Sequence, residues 1–414
     1  MGTQTDGHSY DVVIVGGGAS GLFCASYLRS RSEDLSILIL EGSDRVANKL
    51  LLTGSGRCNL TNTNWGDQFY NSDDPAKVRQ ILQDFTPDDL TAFFRDVLGV
   101  YTVAKDGYVY PKTFRSNTVS EAFRSYLKEN NVTVITNEKV SGIKYDGKYL
   151  LKTLSGNSYS ASHLVLSTGG VSYPRTGSDG TGFRLVMPFL PQDAIEPLRS
   201  ALLPLTAGRK DIKALSGIRV NAALTLLSGS SSVDRSEGEL LFTDNGLSGI
   251  CVFQLSSKVS AMIQDHINPV ISVDYLMLSR EEALPILEHL KESFPDRTIS
   301  AALSGLIRPQ ISEYILKTNG LDLHKTMAET DINDLYDILT GHRFDISGTG
   351  DITEGQVTAG GVKLSYLDQG LQIKDHPGLY TIGEMVNVDG ICGGYNLQWA
   401  FSSAASCADK ILKG

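Results

Sequence analysis

Three glycines near the start of the chain have the spacing of a phosphate-binding loop. Gly16, Gly18 and Gly21 form a Gly-x-Gly-x-x-Gly pattern directly after an apolar run, and Glu41 follows the last of them by about 20 residues. Glycine lets backbone N–H groups approach a pyrophosphate closely, and a carboxylate at the end of the next strand accepts hydrogen bonds from a ribose diol. The combination predicts a dinucleotide-binding site.

Two later segments distinguish FAD from a nicotinamide dinucleotide. Ser167-Thr-Gly-Gly170 follows an apolar strand and resembles the strand-end motif of flavoproteins that bind two dinucleotides. Gly378-Leu-Tyr-x-x-Gly-Glu384 resembles the C-terminal motif of the same proteins, where an acidic residue meets the ribityl chain of the flavin. The order and spacing of these segments favour FAD.

The thiol and imidazole groups do not have the spacing of a metal or redox centre. The five cysteines are widely separated with no Cys-x-x-Cys pair, and the seven histidines include no His-x-x-x-His spacing. Zinc sites, disulfide frameworks and dithiol pairs are recognised by such spacings. We therefore expect no metal ion, and no catalytic thiol at Cys58 or Cys392.

A strand–helix–strand unit positions the glycine loop. Residues 11–15 and 36–40 are short apolar runs rich in β-branched residues, typical of buried parallel strands, with a helical apolar stripe between them. Further strands and helices of the same domain are predicted at residues 132–135, 162–166, 74–98 and 117–130.

The residue composition and hydrophobic pattern of the rest of the chain predict that this domain is split. Residues 8–190 and 355–414 are apolar and glycine-rich, whereas residues 191–278 alternate short β-type runs with Ser/Gly turns. Residues 279–354 have the period of amphipathic helices. The predicted fold class is α/β, with a discontinuous Rossmann-like FAD-binding domain, an inserted β-rich substrate domain and a helical cap subdomain.

Composition limits the classes of function. The chain has 414 residues, 41% of them hydrophobic, and a net charge of −10, which repels phosphate backbones and anionic lipid. It contains no apolar run of membrane-spanning length, and its N-terminus lacks the pattern of a secretory signal. We expect a cytoplasmic protein with a small-molecule substrate and with neither a nucleic-acid nor a membrane partner.

Longer segments resemble one family of flavoenzymes. The most specific signatures are Lys49–Asn62 and Gly383–Trp399. Shorter matches occur at Ser172–Gly177, Gly238–Thr243, Gly246–Gly249 and Val357–Val362. From about Tyr10 to Lys410 the chain is similar to the BaiN-like family (BaiN and RdsA) of FAD-dependent oxidoreductases.

This resemblance implies a split FAD domain, an inserted β-barrel-like region and a small helical cap. It places the pyrophosphate on the glycine loop, the ribose on Glu41, the adenine against the backbone of Val140, and the flavin pyrimidine at a helix N-terminus. Asn48 stands where the family often has arginine, which leaves Lys49 as the basic residue of that pair. The implied cofactor-binding residues are Gly16, Gly18, Ala19, Ser20, Gly21, Glu41, Lys49, Gly56, Arg57, Cys58, Val140, Thr168, Gly169, Gly383, Glu384, Asn396, Leu397 and Gln398.

The sequence does not identify the catalytic residues. Tyr173, Arg175 and Tyr395 are candidates on the substrate side, although aromatic residues in such segments also serve packing. Arg57 fits either a contact with cofactor or substrate charge, or a structural hydrogen-bonding role.

Two redox chemistries are consistent with these motifs. One is reduction of a double bond in a steroid-like, bile-acid-like or other enone, with NAD(P)H as the electron donor. The other is oxidation of a small amine of the aminoacetone type, followed by reoxidation with oxygen. Only one dinucleotide fingerprint is present, so a nicotinamide donor would bind transiently. A non-catalytic flavin-binding redox module and a plain NAD(P)-dependent dehydrogenase are further alternatives.

Overall fold

A computed structural model describes residues 8–350 and 355–414. Contacts divide the described residues into two units, a sheet unit of residues 8–200 and 355–414 and a barrel unit of residues 201–350. The N-terminal segment, for which we predicted no secretory signal, consists largely of residues 1–7. The last residues of the predicted helical subdomain are 351–354. Both of these segments lie outside the described residues.

Twenty β-strands are found in the described part of the chain. They are β1 His8–Val15, β2 Ile37–Leu40, β3 Thr61–Asn62, β4 Tyr70–Ser72, β5 Thr102–Lys105, β6 Tyr108–Pro111, β7 Thr133–Ile135, β8 Val140–Asp146, β9 Lys148–Thr153, β10 Ser158–Leu166, β11 Ile195–Ala201, β12 Leu205–Ala207, β13 Arg219–Ser228, β14 Ser231–Phe242, β15 Gly246–Ser248, β16 Pro269–Asp274, β17 His342–Thr349, β18 Val357–Val362, β19 Leu379–Thr381 and β20 Val388–Gly390.

Twelve α-helices accompany them over the same ranges. They are α1 Ala19–Arg31, α2 Thr53–Gly56, α3 Pro75–Asp84, α4 Pro87–Asp96, α5 Ser116–Glu129, α6 Thr181–Val186, α7 Ile250–Gln264, α8 Arg280–Ser293, α9 Ile299–Leu303, α10 Pro309–Thr318, α11 Ile332–Thr340 and α12 Tyr395–Lys413.

The main sheet of the sheet unit has the strand order β7-β2-β1-β10-β9-β8, with β19 paired to β10. β1 is parallel to both β2 and β10. Val12, Val13 and Ile14 of β1 are fully buried, as expected of a parallel strand covered on both faces. Because these three strands are parallel, their carboxyl ends meet at one edge, where the glycine loop, Glu41 and Ser167 lie.

Helix α1 packs along α12 in the core of the sheet unit. The rings of Phe23 in α1 and Phe401 in α12 lie 5.1 Å apart between centroids, and Phe85 lies 5.4 Å from Phe23. The segment 74–98, predicted as one helical stretch, is two helices. Helix α3 ends before Phe85, and Thr86 caps the start of α4. The Thr86 hydroxyl accepts from the Asp89 N–H, and the Asp89 carboxylate accepts from the Thr86 N–H.

The barrel unit contains a closed six-stranded sheet in the order β12-β15-β14-β13-β16-β17. Its interior is filled by fully buried apolar side chains such as Leu224, Phe242 and Phe344. Helix α7, which follows β15 and precedes β16 along the chain, was not predicted from the sequence. Helices α8 to α11 lie between the barrel strands β16 and β17 along the chain. Contacts group these helices with the barrel in one unit. The predicted division at residue 279 stays a prediction.

None of the helices in the described ranges combines the length and the hydropathy needed to cross a bilayer.

Candidate functional site

A cavity of about 390 Å³ opens at the carboxyl edge of the main sheet. Its wall is built from the glycine loop, the ends of β2 and β10, the segment around 174–182, and the first turn of α12. All of these elements belong to the sheet unit. Parallel sheets bind ligands at this edge because loops and helix N-termini meet there.

The three fingerprint glycines have different structural tasks. Gly16 has a φ of +109°, and a Cβ there would stand 2.5 Å from the carbonyl oxygen of Ser167. A Cβ on Gly21 would stand 2.0 Å from the carbonyl oxygen of Gly16. Gly18, by contrast, borders the cavity, and no atom lies within 4 Å of its Cβ position. The outer two glycines therefore permit the turn and the helix packing, and Gly18 leaves space for a ligand.

Helix α1 begins beside this loop at Ala19. In the described part of the chain no side chain caps it, and its first turn contains no acidic residue. Its first N–H groups and the positive end of its dipole are therefore available to an anion in the cavity.

The Glu41 carboxylate is fixed at the cavity wall by two backbone donors. Its Oε2 accepts from the Gly17 N–H and its Oε1 from the Ser43 N–H, each at 2.7 Å. A carboxylate oxygen can accept more than one hydrogen bond, so Glu41 can still receive hydroxyl donors.

A second carboxylate, that of Glu384 in the C-terminal part of the chain, lies in a polar network with residues from three other segments. Lys49 Nζ donates to Glu384 Oε2 at 2.6 Å and to Ser172 Oγ at 2.6 Å. Ser172 Oγ and the Thr358 N–H both donate to Glu384 Oε1 at 2.8 Å. Burial acts to raise the pKa of Glu384, but the Lys49 ammonium and these hydrogen bonds outweigh it and hold the pKa below its ordinary value. The network keeps Glu384 ionised.

The first turn of α12 brings a second helix N-terminus to the cavity. Asn396 and Leu397 border it, and the Asn396 side chain bonds the N–H and the carbonyl of Gly390 at 2.8 and 2.7 Å. The side chain of Gln398 points instead into the core, where its amide donates to Phe85 O and Ser402 Oγ. In this geometry Gln398 holds the helix in place.

The cavity brings together most of the residues predicted to bind the cofactor. Those that border it are Gly16, Gly18, Ala19, Ser20, Glu41, Lys49, Val140, Thr168, Gly169, Glu384, Asn396 and Leu397, together with the catalytic candidate Arg175. The predicted residues outside its wall are Gly21, Gly56, Arg57, Cys58, Tyr173, Gly383, Gln398 and Tyr395. The cofactor-binding role of both sets stays a prediction.

Cys58, Cys392 and Tyr395 are in environments that disfavour ionisation. Cys58 is fully buried, and burial raises the pKa of its thiol to about 12. Burial also raises the pKa of Cys392. The Tyr395 hydroxyl donates to Asn64 O at 2.8 Å, and burial raises its pKa to about 12. A thiol with such a pKa is a poor nucleophile at neutral pH.

Several polar residues of the site were not singled out from the sequence. Arg45 and Ser43 border the cavity beside Glu41, and Ser178 Oγ is buried in its wall with no hydrogen-bond partner among the described residues. Ser172 and Thr358 hold Glu384 although 186 residues separate them. Their segments matched the family signatures, but local sequence carries no signal for contacts of this range.

The cavity wall fits FAD by the chemistry of its donors and acceptors. It offers an uncapped helix N-terminus and an open approach at Gly18 for the pyrophosphate, a carboxylate at Glu41 for the ribose, and an unpartnered hydroxyl at Ser178. The described residues contain no cluster of His, Cys, Asp and Glu that could hold a metal ion.

Comparison with known sequences gives matches over nearly the whole chain. The profile of a family described as HI0933-like protein Rossmann domain matches residues 10–410. A 3-dehydro-bile acid delta(4,6)-reductase from Clostridium scindens is 30% identical over 397 residues, covering 94% of this chain and 96% of that protein. A ribosomal RNA dihydrouridine synthase from Escherichia coli is 28% identical over 412 residues, covering 97% and 98% of the two chains.

Among solved structures, a 3-ketosteroid delta1-dehydrogenase from Sterolibacterium denitrificans has a TM-score of 0.50 and 13% identity. The match covers 98% of this chain and all of that one. At this level of identity the likeness concerns the fold.

Proposed function

Because the chain belongs to the HI0933-like family and is an FAD-dependent oxidoreductase, we propose that it uses NAD(P)H to reduce a carbon–carbon double bond. The proposed substrate is a small organic molecule, steroid-like or bile-acid-like, in which the double bond is conjugated with a carbonyl. Family membership and the Rossmann-like α/β fold class, both predicted from the sequence, are confirmed.

The observation that carries this proposal is the similarity to the Clostridium scindens reductase along almost the entire length of both chains. The name of this reductase describes reduction of double bonds in a 3-dehydro bile acid. Dihydrouridine, named for the second relative, is likewise a uridine with one ring double bond saturated. Both names therefore describe addition of two hydrogens across a double bond conjugated with a carbonyl, and neither describes amine oxidation.

The overall reaction requires a hydride and a proton: NAD(P)H, a proton and the alkene give NAD(P)⁺ and the saturated product. FAD, when bound, supplies the two-electron carrier between donor and substrate. In our proposal the N-termini of α1 and α12 stabilise negative charge on the cofactor, at the pyrophosphate and the flavin pyrimidine respectively. Glu41 accepts from the ribose hydroxyls, and the Glu384–Lys49 pair fixes the ribityl region. Arg175, the catalytic candidate in the cavity wall, orients substrate charge.

A direct test is anaerobic incubation of the FAD-loaded protein with NADH or NADPH and a panel of steroid enones. We expect consumption of the nucleotide and a product heavier by two hydrogens, detected by mass spectrometry. Flavin that is bleached by amines, and by neither nucleotide, would overturn the proposal and point to an oxidase.

A second candidate substrate is uridine in ribosomal RNA, favoured by the relatives from Escherichia coli and Haemophilus influenzae. The net charge of −10 works against binding of an RNA backbone. Adding deproteinised ribosomal RNA to the same assay separates the candidates, because dihydrouridine formation without enone turnover favours RNA.

A further inference from the structure

A second cleft in the sheet unit is lined by cationic and aromatic side chains. Its volume is about 420 Å³, and its wall consists of Arg57, Lys105, Asp106, Tyr108, Tyr110 and Phe114. None of these residues lines the FAD cavity. The β5–β6 hairpin contributes most of the wall.

Strand geometry explains why the aromatic rings share one face. Tyr108 and Tyr110 are two residues apart on β6 and project to the same side, while Val109 between them is buried on the other. Phe114 extends the aromatic surface, its ring centroid 5.4 Å from that of Tyr110. The Arg57 guanidinium lies over the Tyr110 ring at 5.5 Å.

The side chains of the cleft wall carry more positive than negative charge, with two cations and one carboxylate. Within the described ranges, neither Arg57 nor Lys105 takes part in an ion pair, and both side chains are exposed. Asp106 is the single acidic residue of the wall, in a protein whose net charge is −10. Exposed cations beside aromatic faces suit a ligand that combines phosphate groups with a planar ring.

The cleft and the FAD cavity border the same short segment. A Cβ on Gly393 would stand 3.4 Å from Tyr108 Cε1, and Asn62 Nδ2 donates to the Gly393 carbonyl at 3.0 Å. Asn396 and Leu397, three and four residues after Gly393, line the FAD cavity. The Tyr108 ring of the cleft wall therefore lies close to the segment that leads into α12, whose N-terminus we place at the flavin.

We propose that this cleft is the docking site of the nicotinamide dinucleotide donor. Arg57 and Lys105 contact its phosphates, and an aromatic base stacks on Tyr110 and Phe114. The inference rests on the proposed function in one respect, that NAD(P)H is the donor. It accounts for the presence of a single dinucleotide fingerprint, because a transiently bound donor needs no second Rossmann domain.

The test measures binding of the non-reducing probes NAD⁺ and NADP⁺ to the FAD-loaded protein by isothermal titration calorimetry. We expect Lys105→Glu and Phe114→Ala each to weaken binding at least about tenfold, a loss of about 1.4 kcal/mol. Lys144→Glu, a charge reversal at an exposed lysine on β8, is the matched control and leaves the affinity unchanged. FAD absorbance of each variant verifies that the cofactor site is intact.

Weakening of both probes supports recognition of the shared diphosphate, and weakening of NADP⁺ alone supports recognition of its 2′-phosphate. Equal affinities in wild type, Lys105→Glu and Phe114→Ala overturn the site. Loss of oligouridine binding in these variants with unchanged nucleotide binding also overturns it, in favour of an RNA surface. Failure of every alkene to react overturns the proposed function but leaves this binding result standing.

Discussion

At the scale of single residues, a substitution at Gly18 should weaken cofactor binding without affecting folding. Its Cβ position is free of protein atoms and its φ of −80° is ordinary, so Gly18→Ala should fold like the wild type. The added methyl group projects into the cavity, where we propose that the pyrophosphate binds, and would obstruct it. We expect FAD binding to weaken roughly tenfold or more, as overpacking of a tight contact costs about 1–3 kcal/mol.

Fluorescence titration of the FAD-free protein measures this effect. Gly142→Ala on β8 is the control, because its Cβ position is equally open and lies outside the cavity. Wild-type affinity in Gly18→Ala would show that the pyrophosphate does not pass this residue.

The Lys49–Glu384 pair permits a second residue-scale prediction. Lys49→Met leaves the Glu384 carboxylate without its cation, and it retains only the donors Ser172 and Thr358. Both side chains are about one-fifth exposed, which reduces the cost below that of a fully buried pair. We expect the free energy of unfolding of the FAD-free protein to fall by roughly 1–3 kcal/mol.

A double-mutant cycle in urea tests this pairing. Adding Glu384→Gln to Lys49→Met should recover part of the loss, since the neutral amide needs no counter-ion. Strictly additive effects of the two substitutions would show that the residues do not interact energetically.

At the scale of elements, the N-terminus of α12 should influence the flavin potential. Leu397 borders the cavity in the first turn, where we propose that N–H groups stabilise negative charge on the reduced cofactor. Leu397→Asp adds a carboxylate there and should lower the two-electron reduction potential by tens of millivolts, at about 30 mV per 1.4 kcal/mol. Leu397→Asn, of the same size without the charge, is the control in a dye-coupled potential measurement. Equal potentials in the two variants would place the flavin pyrimidine elsewhere.

The elements predictable from the sequence are those with local signals. Strand β1, the glycine loop and α1 follow from an apolar run, three glycines and a helical stripe within about thirty residues. The inward direction of Gln398 was not predictable, because it depends on the Phe85 carbonyl, 313 residues earlier. The inserted barrel was implied by the family resemblance and is present. Local sequence carries no signal for its closure, in which the last strand β17 joins β12 and β16 across the intervening helices.

At the scale of the whole molecule, stability should depend on pH through His342. This residue is buried in the barrel unit, with Nδ1 3.1 Å from the Tyr275 hydroxyl and Nε2 3.2 Å from Thr318 Oγ1. Burial and the nearby Arg209 lower its pKa from 6.5 to about 4, against the opposing charge of Asp211. The folded protein therefore holds His342 neutral.

The sign of the effect follows from proton uptake. Between pH 6.5 and 4 the unfolded chain binds a proton at His342 that the folded protein does not bind. The contribution of neutral His342 to the free energy of unfolding is therefore complete above pH 6.5 and is lost as the pH falls. The loss amounts to about 2 kcal/mol at pH 5. Urea unfolding at pH 7.5, 6 and 5 should show a shallower pH dependence for His342→Gln than for the wild type. His289→Gln, at an exposed histidine of α8, should retain the wild-type slope. An unchanged slope in His342→Gln would mean that His342 takes up protons in the folded protein as it does in the unfolded chain.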